Sequence, residues 1–126
     1  MATIQNFMIL VFFLSIISQG RCQCYPKEFG VSQSETGVKV ETKPEWKVTI
    51  NNPCPCVQSN VKLSCDGFQS VKPMDPSILK KSGAECLVKN GNPIAPLSSF
   101  SFTYAWDRSF PFKPLDSKID CSQLIN

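Results

Sequence analysis

The chain has 126 residues, 42% of them hydrophobic, and its 13 Lys and Arg against 10 Asp and Glu give a net charge of +3 without any basic block. That is too little positive charge to hold a nucleic-acid backbone. It contains no histidine, which excludes the Ser-His-Asp and Cys-His nucleophile systems and every zinc site except one built from thiolates and carboxylates.

From the N-terminus, residues 7–17 (FMILVFFLSII) are apolar apart from Ser15. A spanning helix needs about 20 apolar residues, whereas the core of a secretory signal peptide takes about 7–15 and is followed by small residues. Ser18-Gln19-Gly20 follows at once, so the segment reads as an export leader although no Lys or Arg precedes it. No later apolar segment is long enough to anchor the chain in a membrane once the leader is removed. Seven cysteines agree with export, because a small secreted domain needs covalent staples and an oxidising compartment keeps them. Cleavage after Gly20 or after Cys22 satisfies the small-residue rule, and the second leaves an even set: Cys24, Cys54, Cys56, Cys65, Cys86 and Cys121. The expected division is therefore a signal peptide over 1–22 and one cysteine-rich domain over 23–126. Loss of Arg21 leaves 12 basic against 10 acidic residues, a net charge of +2. Spacing alone does not resolve how the six cysteines pair. In an extended Cys54-Pro55-Cys56 both side chains point to one face without the geometry to join each other, so each needs a distant partner.

Beyond the leader the hydrophobic pattern has period two. Val38 and Val40 alternate with Lys39 and Glu41; Trp46, Val48 and Ile50 with Lys47, Thr49 and Asn51; Val61, Leu63 and Cys65 with Asn60, Lys62 and Ser64. Each run predicts a half-buried antiparallel strand. Breakers fall at Lys43-Pro44, Asn52-Pro53, Asp66-Gly67, Met74-Asp75-Pro76 and Asn92-Pro93. Asn90-Gly91 predicts a type I′ hairpin that pairs residues 85–89 with the segment starting near Pro93. Residues 77–81 are expected to make one short helical turn closed by Ser82-Gly83. Short strands with turn signals every ~8–12 residues predict an all-β fold, a single small disulfide-stapled antiparallel β-sandwich.

Two constellations bear on function. Phe100, Phe102, Tyr104 and Trp106 share one strand face; they either line the core or, with Tyr104 and Trp106 exposed, stack on sugar rings, as in a cell-wall carbohydrate-binding module. Residues 107–116 (DRSFPFKPLD) combine Arg108, Phe110, Phe112 and Lys113 with Pro111 and Pro114. Rings on a stiffened loop make good partner-binding anchors; the alternative is that they cover the end of the core. Catalysis by paired carboxylates would fall to Asp66, Glu85, Asp107 and Asp120, but these read as turn and surface charges. No catalytic residue, metal site or cofactor is assigned. Lys80-Lys81 reads as an exposed charged turn in preference to a processing site.

The block Trp46-Lys47-Val48-Thr49-Ile50-Asn51-Asn52-Pro53-Cys54-Pro55-Cys56, with Val61-Lys62-Leu63-Ser64-Cys65-Asp66-Gly67-Phe68, Cys86-Leu87-Val88-Lys89-Asn90-Gly91-Asn92-Pro93-Ile94 and Phe102-Thr103-Tyr104-Ala105-Trp106, resembles the plant TAPETUM DETERMINANT-like family of small secreted cysteine-rich proteins. Cys24 with Val31-Ser32-Gln33 extends the match over nearly the whole mature chain. The founding member carries a long segment before its first mature cysteine that is missing here, so the chain resembles the short relatives. The resemblance implies an apoplastic signalling protein without enzymatic activity, a ligand of a leucine-rich-repeat receptor kinase in cell-fate signalling of the anther or reproductive type.

Overall fold

A computed structural model describes residues 24–122; the expected leader and its cleavage point lie outside the described residues. In chain order the strands are β1 (Gly30–Val40), β2 (Lys43–Asn51), β3 (Val57–Ser64), β4 (Leu79–Ser82), β5 (Glu85–Val88), β6 (Ser99–Ala105) and β7 (Lys113–Asp120). They form two antiparallel sheets, of order β1-β2-β6 and β4-β5-β3-β7. The chain crosses between sheets after β2, β5 and β6, and the apolar faces meet in one core, as the period-two pattern requires. The expected all-β sandwich is what forms.

The alternation in β2 does what its sequence dictates. Val48 and Ile50 are fully buried, and rows of cross-strand neighbours run through Trp46–Tyr104, Val48–Phe102 and Ile50–Phe100. Each fully buried aliphatic side chain of this size contributes about 1.5–3 kcal/mol. In β3 the inward residues are Gln58, Val61 and Leu63. The spacing of three between the first two comes from Asn60, whose φ of 49° coincides with a shift of register against β7. An extra residue at such a bulge returns the following side chains to the core face. Disulfides join Cys65 to Cys86 and Cys56 to Cys121.

The pairing register separates two ends of the sandwich. Gly30, Asn51, Ser99 and Asp120 stand at one end, so the start of the domain, the 52–56 connection and the end of β7 gather there. The 41–42 turn, the 83–84 turn and residues 106–112 gather at the other. The segment before β4 folds over the open edge of β6: Val71 N–H donates to Ala105 O at 2.9 Å, Ser70 Oγ accepts from Ala105 N–H at 3.1 Å, and Lys72 bonds to Glu45 and Thr103.

Four local expectations are corrected. Residues 77–81 are not a helical turn: Asp75 accepts from the amides of Ser77 and Ile78, and the chain then enters β4, burying Leu79 beside Val88. Asn90 and Gly91 do take positive φ, 54° and 80°, but no hairpin follows. Both edges of β5 are already occupied, by β4 and β3, so the chain leaves through a short 3-10 turn at Lys89–Gly91 and Ile94 bridges to Gln58 instead. A Cβ at Gly91 would lie 2.8 Å from Asn60 Oδ1, so glycine is required there on two counts. Val38 is 53% exposed, because it falls on the outer face of β1, out of step with Val31 and Gln33, which stand opposite Ile50 and Val48.

The fourth correction concerns the first hairpin. Pro44 sits inside β2, opposite Lys39, and the two-residue turn is Glu41-Thr42, with φ of 48° and 69°. Two positive values define a type I′ turn, which favours Asn-Gly and penalises a β-branched residue. Replacing the pair by Asn-Gly is expected to stabilise the domain by about 1 kcal/mol, the relieved strain of ~1–3 kcal/mol per residue being offset in part by the greater backbone entropy of glycine. Thermal melting is the check, with a rise of about 4–8 °C per kcal/mol.

Candidate functional site

The aromatic stripe of β6 faces inward. Tyr104 is 0% exposed and Phe102 5%, while Phe100 and Trp106 are half-buried. Phe68, Phe102, Tyr104, Phe110 and Phe112 make one cluster, with Phe68 edge-on to Tyr104 and to Phe110 at centroid separations of 5.3 Å. Phe112 stands 5.7 Å from Tyr104 and 6.0 Å from Phe102, edge-on to both. Such pairs add about 0.5–1.5 kcal/mol beyond their buried area. Tyr104 therefore cannot stack on a sugar ring, and the carbohydrate-binding alternative built on this stripe falls with it.

The loop after β6 corrects a second expectation. Phe110 and Phe112, expected as partner-binding anchors, are only 7% and 6% exposed. Phe112 N–H donates to Phe110 O across Pro111 at 2.9 Å. That three-residue turn suits the fixed φ of proline and sends both flanking rings to the same side, into the core. The loop is fastened from beneath: Tyr104 OH donates to Gln33 Oε1 at 2.6 Å and accepts from Phe110 N–H at 2.9 Å, while Gln33 Nε2 donates to Phe110 O at 2.5 Å. Burial raises the Tyr104 phenol above its usual range, with the Phe110 amide acting in the opposite direction.

What the same loop leaves outside is polar and cationic. Arg108 and Lys113 are exposed, and neither takes part in an ion pair among the described residues, where the pairs are Lys43–Asp107 at 2.6 Å and Lys72–Glu45 at 2.9 Å. Trp106, two residues before Arg108 in the chain, is half-buried. Its carbonyl accepts from Trp46 Nε1 at 3.3 Å, and Lys43 Nζ lies 5.9 Å from its ring centroid, within cation–π range. Tryptophan and arginine are among the residue types that carry most binding energy at interfaces. Sequence reasoning selected Arg108 and Lys113 but missed Trp46 and Lys43, which the pairing of β2 with β6 brings beside Trp106.

The opposite end holds a buried polar knot that sequence reasoning also missed. Asn52 and Gln58 are fully buried. Asn52 Nδ2 donates to the carbonyls of Cys56, Ile94 and Ala95 at 2.9, 3.1 and 3.1 Å, and its Oδ1 accepts from Cys54 N–H and Gln58 Nε2. Gln58 Oε1 accepts from Ser117 Oγ at 2.8 Å. Beside the knot lie Cys24 and Cys54, the two thiols outside the disulfides among the described residues. Burial pushes the Cys54 thiol up to about 12, with Cys24 and the Glu28 carboxylate adding to the shift. A thiol so protonated is the reverse of an activated nucleophile. Among the described residues no three metal-ligating side chains converge.

The family described as "Tapetum determinant 1, C-terminal" matches residues 25–122, from the first turn of the domain to the end of β7. An uncharacterized protein of Arabidopsis thaliana is 30% identical over 116 residues, 90% of each chain. TPD1 protein homolog 1 of Arabidopsis thaliana is 31% identical over 91 residues, 70% of this chain and 51% of its own. TPD1 protein homolog 1B of Oryza sativa subsp. japonica is 36% identical over 70 residues, 54% of this chain and 41% of its own. The chain thus spans about half the length of these TPD1 homologues. No solved structure matches it. With the conserved-domain match running through both sheets and both disulfides, the chain belongs to the Tapetum determinant 1 family.

Proposed function

We propose that the protein is a secreted signalling ligand that binds the ectodomain of a leucine-rich-repeat receptor kinase in the apoplast and acts by binding, not by catalysis, in developmental signalling of the anther or reproductive type. The single observation that carries this reading is the family match over residues 25–122. Family membership supports a developmental signalling role of the tapetum-determinant type. The disulfides and the lack, among the described residues, of a helix long and apolar enough to cross a membrane fit an extracellular protein. The proposed binding face comprises the exposed Arg108 and Lys113 with the half-exposed Trp106, and the concave surface of a repeat solenoid is a suitable receiver for it.

Capture of receptor-kinase ectodomains by the mature protein tests the proposal. Arg108→Ala is expected to weaken the captured complex by about 2 kcal/mol, and Lys113→Ala to slow association with a smaller loss of affinity. Neither should move the melting temperature, since both side chains are exposed. Failure of every ectodomain to bind, or wild-type affinity in both variants, would sink this reading.

Export has its own check. The protein recovered from the medium of expressing plant cells is expected to begin at Gln23, and intact mass distinguishes that form from one retaining Cys22.

A further inference from the structure

We infer that Cys24 and Cys54 form a third disulfide, which locks the N-terminal segment of the domain onto the same Cys54-Pro55-Cys56 connection that already holds the C-terminal strand. The inference depends on export only through the compartment in which the protein matures. Its basis is how residues 24–29 are held. Lys27 N–H donates to Ser117 Oγ at 2.9 Å, Glu28 O accepts from Gln58 Nε2 at 2.9 Å, and Glu28 Oε2 accepts from Tyr25 N–H at 3.0 Å. Phe29 is buried in the core. These contacts lay the segment across the 52–58 connection, with Glu28 O 4.0 Å and Glu28 Oε2 3.8 Å from Cys54 Sγ, and they bring the Cys24 thiol within interaction range of the Cys54 thiol. Two residues on, Cys56 is bonded to Cys121. The Cys-Pro-Cys unit would then hold both ends of the domain, one sulfur to each.

Without the bond, the pair is costly where it lies. Cys54 is buried and its S–H has long contacts to the Glu28 oxygens and the weakly accepting Cys24 sulfur beside it, whereas a disulfide needs no donor or acceptor. Closure removes one proton and one electron from each thiol. The oxidant is a disulfide, either that of an export-pathway oxidoreductase or a small-molecule disulfide such as oxidised glutathione. Cys24, the more exposed partner, attacks the oxidant as thiolate and expels one of its sulfurs. Cys54 then attacks the Cys24 sulfur of the mixed disulfide and expels the second. The two protons lost by the protein thiols end on the two leaving thiolates, so the oxidant is reduced to two thiols as one S–S bond forms in the protein.

Peptide mapping without reduction tests the inference. Cys54 and Cys56 share one tryptic peptide, because the flanking sites are Lys47 and Lys62, and the peptide carrying Cys24 ends at Lys27. Fragmentation at Pro55 is needed to separate the two linkages. The expected map of the secreted protein joins the Cys24 peptide to the fragment holding Cys54, joins the Cys121 peptide to the fragment holding Cys56, and shows no alkylation of Cys24 or Cys54 before reduction. Cys24→Ser should lose the first linkage and leave one thiol that alkylates only on unfolding. A native protein with both thiols open to alkylation, or with Cys24 joined to any other cysteine, overturns the inference. The full chain refolded in a glutathione redox buffer is expected to give the same linkage and requires no export, so failure of secretion and failure of the bridge are told apart.

Discussion

Phe110→Ala and Phe112→Ala are each expected to lower stability by about 3–5 kcal/mol and to leave partner capture by the surviving folded fraction unchanged. Both rings belong to the five-ring cluster with Phe68, Phe102 and Tyr104, so truncation removes buried area and leaves a cavity between the sheets. The surroundings have little freedom to fill it, because the loop backbone on either side is fixed by Tyr104, Gln33 and the turn across Pro111. The loss should appear as a lower melting temperature, at about 4–8 °C per kcal/mol, in a circular dichroism or fluorescence melt. Arg108→Ala provides the opposite signature, full stability with weakened capture, and the two together separate the underside of the loop from its outer face. A normal melt with abolished capture for Phe112→Ala would mean that the ring swings out to meet a partner.

How far the fold was legible depends on which forces set each element. The alternation of Trp46, Val48 and Ile50 is a burial pattern, and burial is local in sequence, so β2 and the core-facing side of β6 could be read directly. Bulges are not local. Asn60 shifts the phase of β3 by one residue, which brings Gln58 inward, and the stretch around Gly37 shifts β1 by two residues against β2; neither leaves a hydrophobic signature. Pairing partners are also set by competition. Asn90-Gly91 has the right turn chemistry, yet β5 is already sandwiched between β4 and β3, so no strand can pair after it. In the binding loop the prolines misled in a specific way. Pro114 suggested a loop because it lacks an N–H, but it lies in β7, an edge strand of its sheet, at a break in the register with Leu63, where a missing donor costs little. Of the candidate contacts, Arg108 and Lys113 were accessible to sequence reasoning through their loop, whereas Lys43 and Trp46 come beside Trp106 only once β2 is paired with β6.

Asn52→Ala is expected to destabilise the domain by about 3–5 kcal/mol although it removes only a small polar side chain. The amide nitrogen has two hydrogens and serves three carbonyls, so one hydrogen is shared, and the amide oxygen accepts from two donors. Deleting it strands groups from three separate parts of the chain: the Cys54–Cys56 connection, the Ile94–Ala95 approach to β6, and Gln58 at the start of β3. Each unsatisfied buried group costs about 1–3 kcal/mol, reduced where water enters. Asn52→Asp distinguishes this account from simple loss of volume. The replacement keeps the size but, once ionised, turns a charged acceptor oxygen, in place of the amide nitrogen, toward three carbonyls in a site without a facing cation among the described contacts. Burial and those carbonyls raise the carboxyl pKa in the folded state above its unfolded value of about 4. The folded state then holds its proton more tightly than the unfolded state, so stability is greatest below pH ~4 and is lost as pH rises through the folded pKa. Chemical denaturation of the wild type, the alanine variant and the aspartate variant at pH 4 and pH 7 reads this directly. The penalty of Asn52→Asp should grow between the two pH values while that of Asn52→Ala stays constant. An equal penalty for Asn52→Asp at both would show that the cluster around residue 52 is open to water.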